Sequence, residues 1–212
     1  MVGVVRLMNV AMLLKSVVGE NIRGAFAELG VWRGGTCIFA RKFFDLLSEG
    51  GRRVEVFDAF ESLPGYDTNA DFLMNSQASV EENFRLADAS LRRTHFHKGL
   101  FKDSVPAFSR ESSGNIAVLR VDGNFYDSYQ DAMYYLYERV PVGGYVIFDD
   151  IMSHRAVMRF WNDFQADQGV VETLHQIDLH SAYFRKTQTV KIDMSRMHAP
   201  QDANKARRLS LL

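Results

Sequence analysis

Five short strand-like runs, each followed by a segment with helical spacing, constrain this chain more than any other feature. The runs are Ala25–Leu29, Val54–Phe57, Thr94–His97, Ile116–Val121 and Tyr145–Phe148. The helical segments are Thr36–Leu47, Val80–Ala87, Ser128–Arg139 and Ala156–Phe164, with Phe101–Phe108 a short helix or turn. Strand and helix alternating at this length imply right-handed crossovers and a parallel sheet. Before them, Leu7, Val10, Ala11, Leu14 and Val18 recur at helical intervals, so residues 4–18 form an amphipathic helix leading into the core. After them, Val170–Gln176 and Ser181–Arg185 are joined by the short link Ile177–His180, which predicts an antiparallel pair at one edge. The expected fold is therefore α/β, with a mostly parallel central sheet, helices on both faces and an antiparallel C-terminal edge.

Length and composition narrow the class further. A chain of 212 residues with 47% hydrophobic residues holds material for one large core, expected over residues 1–186. Residues 187–212 are polar, carry Lys205, Arg207 and Arg208, and read as a solvated or disordered tail. Residues 62–79, with Pro64, Gly65, Asp67, Asn69 and Asn75, read as a long loop and a candidate lid. A net charge of −1 argues against a general nucleic-acid binder, which would show a basic excess. The apolar stretch from Val4 to Val18 is too short for a membrane span and is broken by Arg6, Asn9 and Lys15, and no signal peptide is recognisable. The lone Cys37 forms no internal disulfide and suits a reducing cytoplasm.

Three carboxylates stand at the ends of two of these runs. Asp122 follows Leu119-Arg120-Val121, and Asp149-Asp150 close Tyr145-Val146-Ile147-Phe148. All three should emerge at the carboxyl edge of the sheet, where open α/β sheets bind ligands. With no evident Lys or Arg partner, acids converging there repel one another unless a divalent cation joins them. Carboxylate ligands with room for water suit Mg2+. Asp149-Asp150 also fits a second role, stabilising the N-terminus of the following helix. His95, His97, His154, His175 and His180 show no zinc spacing, and Cys37 has no partner thiol.

The first strand runs into Glu28-Leu29-Gly30-Val31-Trp32-Arg33-Gly34-Gly35. Gly30 permits a tight turn and close approach to a ligand, while Gly34 and Gly35 let the helix start lie against the strand. Trp32 and Arg33 stand where a pyrophosphate would need bare backbone, which disfavours a nicotinamide dinucleotide. Glu28 would oppose a phosphate but favour a cationic cofactor. S-adenosylmethionine fits, because it carries a sulfonium and an ammonium and no phosphate; a turn with only a packing role remains open. Asp58, at the tip of the second strand, can accept hydrogen bonds from both ribose hydroxyls, or can simply cap a turn. Phe57, Phe60 and Phe101 are candidates for a face against adenine, or plain core. A nucleoside pocket beside an oxygen-ligand metal points to group transfer onto a hydroxyl, with a diol or catechol as natural acceptor.

Several segments together resemble one family. They are the glycine turn just quoted, Phe57-Asp58-Ala59-Phe60-Glu61-Ser62-Leu63-Pro64, Lys98-Gly99-Leu100-Phe101-Lys102-Asp103-Ser104-Val105-Pro106, Leu119–Ser128, Gly143–Asp150 and Tyr183-Phe184-Arg185-Lys186. In this order they resemble the macrocin O-methyltransferase family from about residue 6 to 186. The resemblance implies a Rossmann-like class I methyltransferase fold, S-adenosylmethionine, Mg2+, and methylation of a sugar hydroxyl on a macrolide-like or other natural-product glycoside. It implies a metal held by Asp122, Asp149 and Asp150, with Asp122 also assisting deprotonation of the acceptor. Cofactor contacts would fall on Glu28, Gly30, Trp32, Asp58 and Ser62, with Gly99 and Phe101 near the adenine.

Three departures accompany the resemblance. Asn124 stands where the family usually has an Asp, the N-terminus is short, and the loop after Pro64 looks shortened. Acceptor identity and assembly, monomer or homo-oligomer, are left open by them. Phe125 occupies the place where catechol O-methyltransferases carry a Lys, so a lysine base is not expected. A cofactor-binding interaction module of the same fold, without turnover, is the alternative.

Overall fold

The computed structural model describes residues 2–61 and 74–197. Helix α1 (Val4–Gly19) precedes β1 (Ala25–Leu29), α2 (Gly35–Leu46), β2 (Val54–Asp58), α3 (Gln77–Leu86), β3 (Thr94–Lys98) and α4 (Phe101–Glu111). Then follow β4 (Ile116–Val121), α5 (Tyr126–Leu136), β5 (Tyr145–Phe148), α6 (Arg155–Gln168), β6 (His175–Gln176) and β7 (Ala182–Arg185). The strands form one seven-stranded sheet in the order β3-β2-β1-β4-β5-β7-β6. The five strands from β3 to β5 pair in parallel, and β7 pairs antiparallel with both β5 and β6. Among the described residues no helix is long and apolar enough to cross a membrane.

Alternation along the strands divides the apolar residues between two cores, one on each face. Phe26, Val54, Val56, Val118 and Ile147 face α1, α2 and α3. Leu29, Phe57, Leu119, Val121, Val146 and Phe148 face α4, α5 and α6. On α6 the buried residues Val157, Phe160, Trp161, Phe164 and Gln168 make one stripe at helical spacing. The stripe packs into an aromatic layer: Trp161 stacks on Phe184 at 4.8 Å, and Phe164 meets Tyr134 and Tyr137 edge-on at 5.5 Å. Gly169, left-handed at φ 65°, ends the helix.

The strand order places the functional edge. From β1 the chain winds outward to β2 and β3, then returns across β1 to lay down β4 and β5. The connections leaving β1 and β4 therefore diverge to opposite faces, opening a crevice at their carboxyl ends.

Two segments differ from the sequence expectation. The late strand predicted over Val170–Gln176 is reduced to His175–Gln176. The Gln165 side-chain amide donates to the Val170 and Glu172 carbonyls, and the Glu172 carboxylate accepts from the Val171 amide, so side chains satisfy this backbone in place of a ladder. Residues 187–197, expected as the start of a polar tail, pack back on the domain. Ile192 is buried, its amide donates to Glu138 at 2.8 Å, and the Asp193 amide donates to Gln168 at 2.8 Å. Most of the candidate lid, residues 62–73, and the tail beyond residue 197 lie outside the described residues.

Phe164→Ala should remove a fully buried ring from the α6 stripe and cost about 3–5 kcal/mol. Urea denaturation would show this as a lower midpoint with an unchanged slope. A loss below about 1 kcal/mol would mean that the aromatic layer does not hold α6 to the sheet.

Candidate active site

The acids emerge where the ladders end. The Asp122 amide donates to the Leu29 carbonyl at 2.8 Å, and the Asp149 amide to the Val121 carbonyl at 3.0 Å. Each is thus one residue beyond its strand and still fixed by its neighbour. Gly30, left-handed at φ 87°, lies so close to β4 that a Cβ there would overlap the Asp122 carbonyl oxygen. The glycine is required by this close approach of β1 and β4. Asp58 ties the turn from the other side. One carboxylate oxygen accepts from the Val31 and Trp32 amides at 2.9 and 3.2 Å, and the other from the Phe60 amide at 3.0 Å. Asp58 therefore does cap the turn, and it also lines the cavity.

Asp122, Asp149 and Asp150 offer carboxylate oxygens that all lie within 4.8 Å of one another, the one such grouping among the described residues. They do not stand alone, contrary to the expectation that no basic partner was at hand. Arg120, 1% exposed, donates to Asp122 at 3.0 Å, to Asp149 at 2.6 Å and to Glu28. Arg6 of α1 donates to the second oxygen of Asp149 at 2.6 Å and to Asp178 at 2.7 Å. Asp150 has no ion pair among the described residues. Burial, opposed by Arg120 and reinforced by Asp149 and Asp150, pushes the Asp122 carboxyl up to about 7. Burial also raises Asp150, with Asp149 adding to the effect. Two guanidiniums thus leave an excess of negative charge at the strand tips, and the donors are hard carboxylate oxygens. That set fits a divalent cation of the Mg2+ kind.

Glu28 is occupied differently from the sequence expectation. Its two oxygens accept from Arg120 and from the Cys37 thiol, the latter at 2.8 Å. Burial raises the Glu28 carboxyl against the pull of Arg120, and burial with Glu28 pushes Cys37 well up. Glu28 lines the cavity while serving as an internal anchor for Arg120.

A single cavity of about 710 Å³ collects these groups. Of the residues singled out from sequence, Glu28, Gly30, Trp32, Asp58, Gly99, Phe101, Asp122, Asp149 and Asp150 all line it. Ser62 lies outside the described residues. Phe57 and Phe60 do not line it. Phe57 is fully buried and stacks on His97 at 4.2 Å, and Phe60 packs toward Phe96 in the opposite core. Only Phe101, at the start of α4, remains of the three aromatic candidates. Asn124 lines the cavity in a left-handed conformation, φ 59°, that Asn tolerates. Arg6, Leu7, Arg120 and Ser128 line it too and were not anticipated. For Arg120 a signal existed: two residues before Asp122 in a strand means the same side of the sheet.

A parallel sheet of this order with an antiparallel edge, helices on both faces, a glycine turn after β1 and an acid at the tip of β2 is the class I methyltransferase fold. Residues 1–186 match the family described as Macrocin-O-methyltransferase (TylF). The chain belongs to that family and is an O-methyltransferase. It is similar to the demethyldecarbamoylnovobiocin O-methyltransferase of Streptomyces niveus, with 33% identity over 200 residues covering 88% of this chain and 75% of the relative. It is similar also to the 8-demethyl-8-(2,3-dimethoxy-alpha-L-rhamnosyl)-tetracenomycin-C 4'-O-methyltransferase of Streptomyces olivaceus, 32% identical over 200 residues, 88% of this chain and 75% of that one. The solved structure of the O-methyltransferase NovP superposes with a TM-score of 0.79 at 32% identity, covering 88% of this chain and 81% of that one.

Arg120→Met should leave Glu28 and Asp149 short of a buried cation and cost about 3–5 kcal/mol in chemical denaturation. An unchanged midpoint would show that the guanidinium is dispensable. Asp178 supplies a pH test. Burial alone would raise its carboxyl, but hydrogen bonds from Arg6 and the His180 and Ser181 amides hold it down at about 2, against an ordinary 3.8. A carboxyl depressed on folding stabilises the protein above its unfolded value, and the gain is lost as pH falls through the folded value. Wild type should therefore exceed Asp178→Asn in stability at neutral pH, with the gap closing between about pH 4 and pH 2. A gap independent of pH would rule out this ion pair as its source.

Proposed function

We propose that this chain transfers a methyl group from S-adenosylmethionine to a sugar hydroxyl of a natural-product glycoside, assisted by Mg2+ held by Asp122, Asp149 and Asp150. One observation carries the reading: the glycine turn with Asp58 and the three acid tips open into one cavity. A cofactor on the first and an acceptor at the second would lie side by side. The relatives' names, which include a rhamnosyl acceptor, support a sugar hydroxyl.

The chain's residues divide the work by position. Gly30 and Gly99 bring bare backbone to the cofactor side, Trp32 and Phe101 give it apolar surface, and Asp58 offers a ribose hydroxyl its remaining acceptor site. Glu28, neutralised locally by Arg120, contributes shape and an anchor more than charge. On the acceptor side, Asp122 stands between the glycine turn and the Asp149–Asp150 tip, where it would orient the hydroxyl and assist removal of its proton. When bound, the sulfonium supplies an electrophilic methyl group and a divalent ion lowers the pKa of an adjacent hydroxyl. The transfer breaks one S–C bond and forms one O–C bond while the hydroxyl proton leaves, so alignment across the cavity governs the rate. Asn124 near the acids supplies a neutral amide in place of a further carboxylate, making Asp122 the acid on which the β4 tip depends. The acceptor is a small hydroxylated molecule rather than a nucleic acid, and the lone buried Cys37 fits work in a reducing cytoplasm. A monomer and a homo-oligomer are equally compatible with this site.

Asp122→Ala should lower methyl transfer to a glycoside panel by about 10³-fold or more, the scale of losing a metal ligand and proton acceptor together. S-adenosylhomocysteine binding, followed by calorimetry, should change by less than about threefold, since Asp58 and the glycine turn are untouched. EDTA should reproduce the kinetic loss and Mg2+ should reverse it. Full transfer in EDTA would remove the metal from the mechanism.

A further inference from the structure

Arg6 comes from the first turn of α1, far in sequence from every strand tip, yet its guanidinium sits on a proposed metal ligand. Its contact is with one oxygen of Asp149 at 2.6 Å, while Arg120 takes the other oxygen at 2.6 Å. Both carboxylate oxygens therefore already carry a cationic donor. Each oxygen keeps a lone pair, but a divalent ion drawn to it is opposed by two nearby guanidinium charges, and the more mobile of the two gives way first. Arg120 cannot: it is 1% exposed and locked to Glu28 and Asp122. Arg6 can. Its side chain is 14% exposed, it has Asp178 as a second partner, and it hangs from the first turn of a helix.

We propose that Arg6 and the divalent ion compete for Asp149, so that metal loading releases the first turn of α1 from the site. The inference builds on the metal site proposed above and adds what regulates it. Consequences follow from what else this turn carries. Val2 and Leu7, on the same stretch of chain as Arg6, line the same cavity. Loading the ion thus loosens an apolar part of the cavity wall. By linkage, whatever pins that wall in its Arg6–Asp149 position weakens metal binding by the same factor. Asp178 keeps the released guanidinium nearby, so the exchange is local and reversible. Arg6 is a positioning residue in this scheme: it touches a ligand carboxylate and acts on metal and acceptor only through it.

The test uses Mn2+ alone as the probe, with free ion read by electron paramagnetic resonance, so no acceptor is needed. Arg6→Met removes the competing charge and should bind Mn2+ about tenfold or more tightly than wild type, the scale of deleting a unit charge close to a divalent ion even in a water-like dielectric. Arg6→Lys keeps a cation and should stay within about threefold of wild type, which a role in helix packing would not explain. Hydrogen exchange on the wild-type chain gives a readout free of any variant. Saturating Mn2+ should speed exchange of the amides of residues 7–10, beginning with the Leu7 amide that donates to the Gly3 carbonyl. Wild type binding Mn2+ with Arg6→Met equal or weaker, or with α1 exchange unmoved, overturns the competition and leaves the metal site standing. Failure of all three proteins to bind Mn2+ overturns both.

Discussion

The buried guanidinium of Arg120 is the contact around which the functional edge is built. It reaches Glu28 on β1, Asp122 beyond β4 and Asp149 beyond β5, joining the three central strands at the level where their ladders stop. Removing so many charges from water is expensive, and a buried ion cluster is poor evidence for net stability. Its value lies in geometry. Carboxylates brought within 4.8 Å of one another would otherwise drive the strand ends apart or take up protons. Arg120 lets β4 and β5 carry acids to the switch point while the ladders beneath them keep their register.

The same edge shows how small residues and capping acids shape a cavity. At β1 the chain must turn within bonding reach of Asp122, and only Gly30 leaves space for it. Asp58 holds the next residues by accepting three backbone amides, from Val31, Trp32 and Phe60. Trp32, left-handed at φ 49°, is kept in an uncommon conformation by this grip. Its ring carries the Arg33 guanidinium at 4.8 Å. Turn capping and the proposed ribose contact are therefore not rival roles for Asp58. Of the roughly four lone-pair sites of the carboxylate the cap uses three, which leaves about one for a further donor.

How much of this could be read beforehand depends on whether the signal was local. The parallel strands were readable because each is a short apolar or β-rich run whose length and flanks suffice, and β1, β4 and β5 begin and end as expected. The strand predicted from Val170 was not, because its backbone is satisfied by Gln165 and Glu172, partners that no periodicity reveals. The acids and glycines of the site announced themselves as strand-end residues, and the cavity brings them together. Arg120 was in plain view within its strand, but one charged residue in an apolar run does not disclose that its partners lie on two neighbouring strands. Arg6 was visible only as a break in an apolar helix. Phe57, Phe60 and Phe101 illustrate the limit for aromatics. Composition treats them alike, while the strand or helix position sends the first two to opposite cores and the third to the cavity.

A cation built into a site proposed to receive a cation looks contradictory until folding and loading are considered separately. Had the acid tips no internal partner, closing the sheet at β4 and β5 would require the metal, as in small domains that fold only when loaded. With Arg120 in place, repulsion among the tips is already partly compensated, so the edge can assemble from the chain's own charges. The same positive charge must weaken the attraction for a divalent ion. A fixed guanidinium therefore exchanges affinity for independence: the fold need not wait for an ion. Asp150, which feels the charge of both arginines but is ion-paired to neither among the described residues, then remains the carboxylate of the three least committed to the protein.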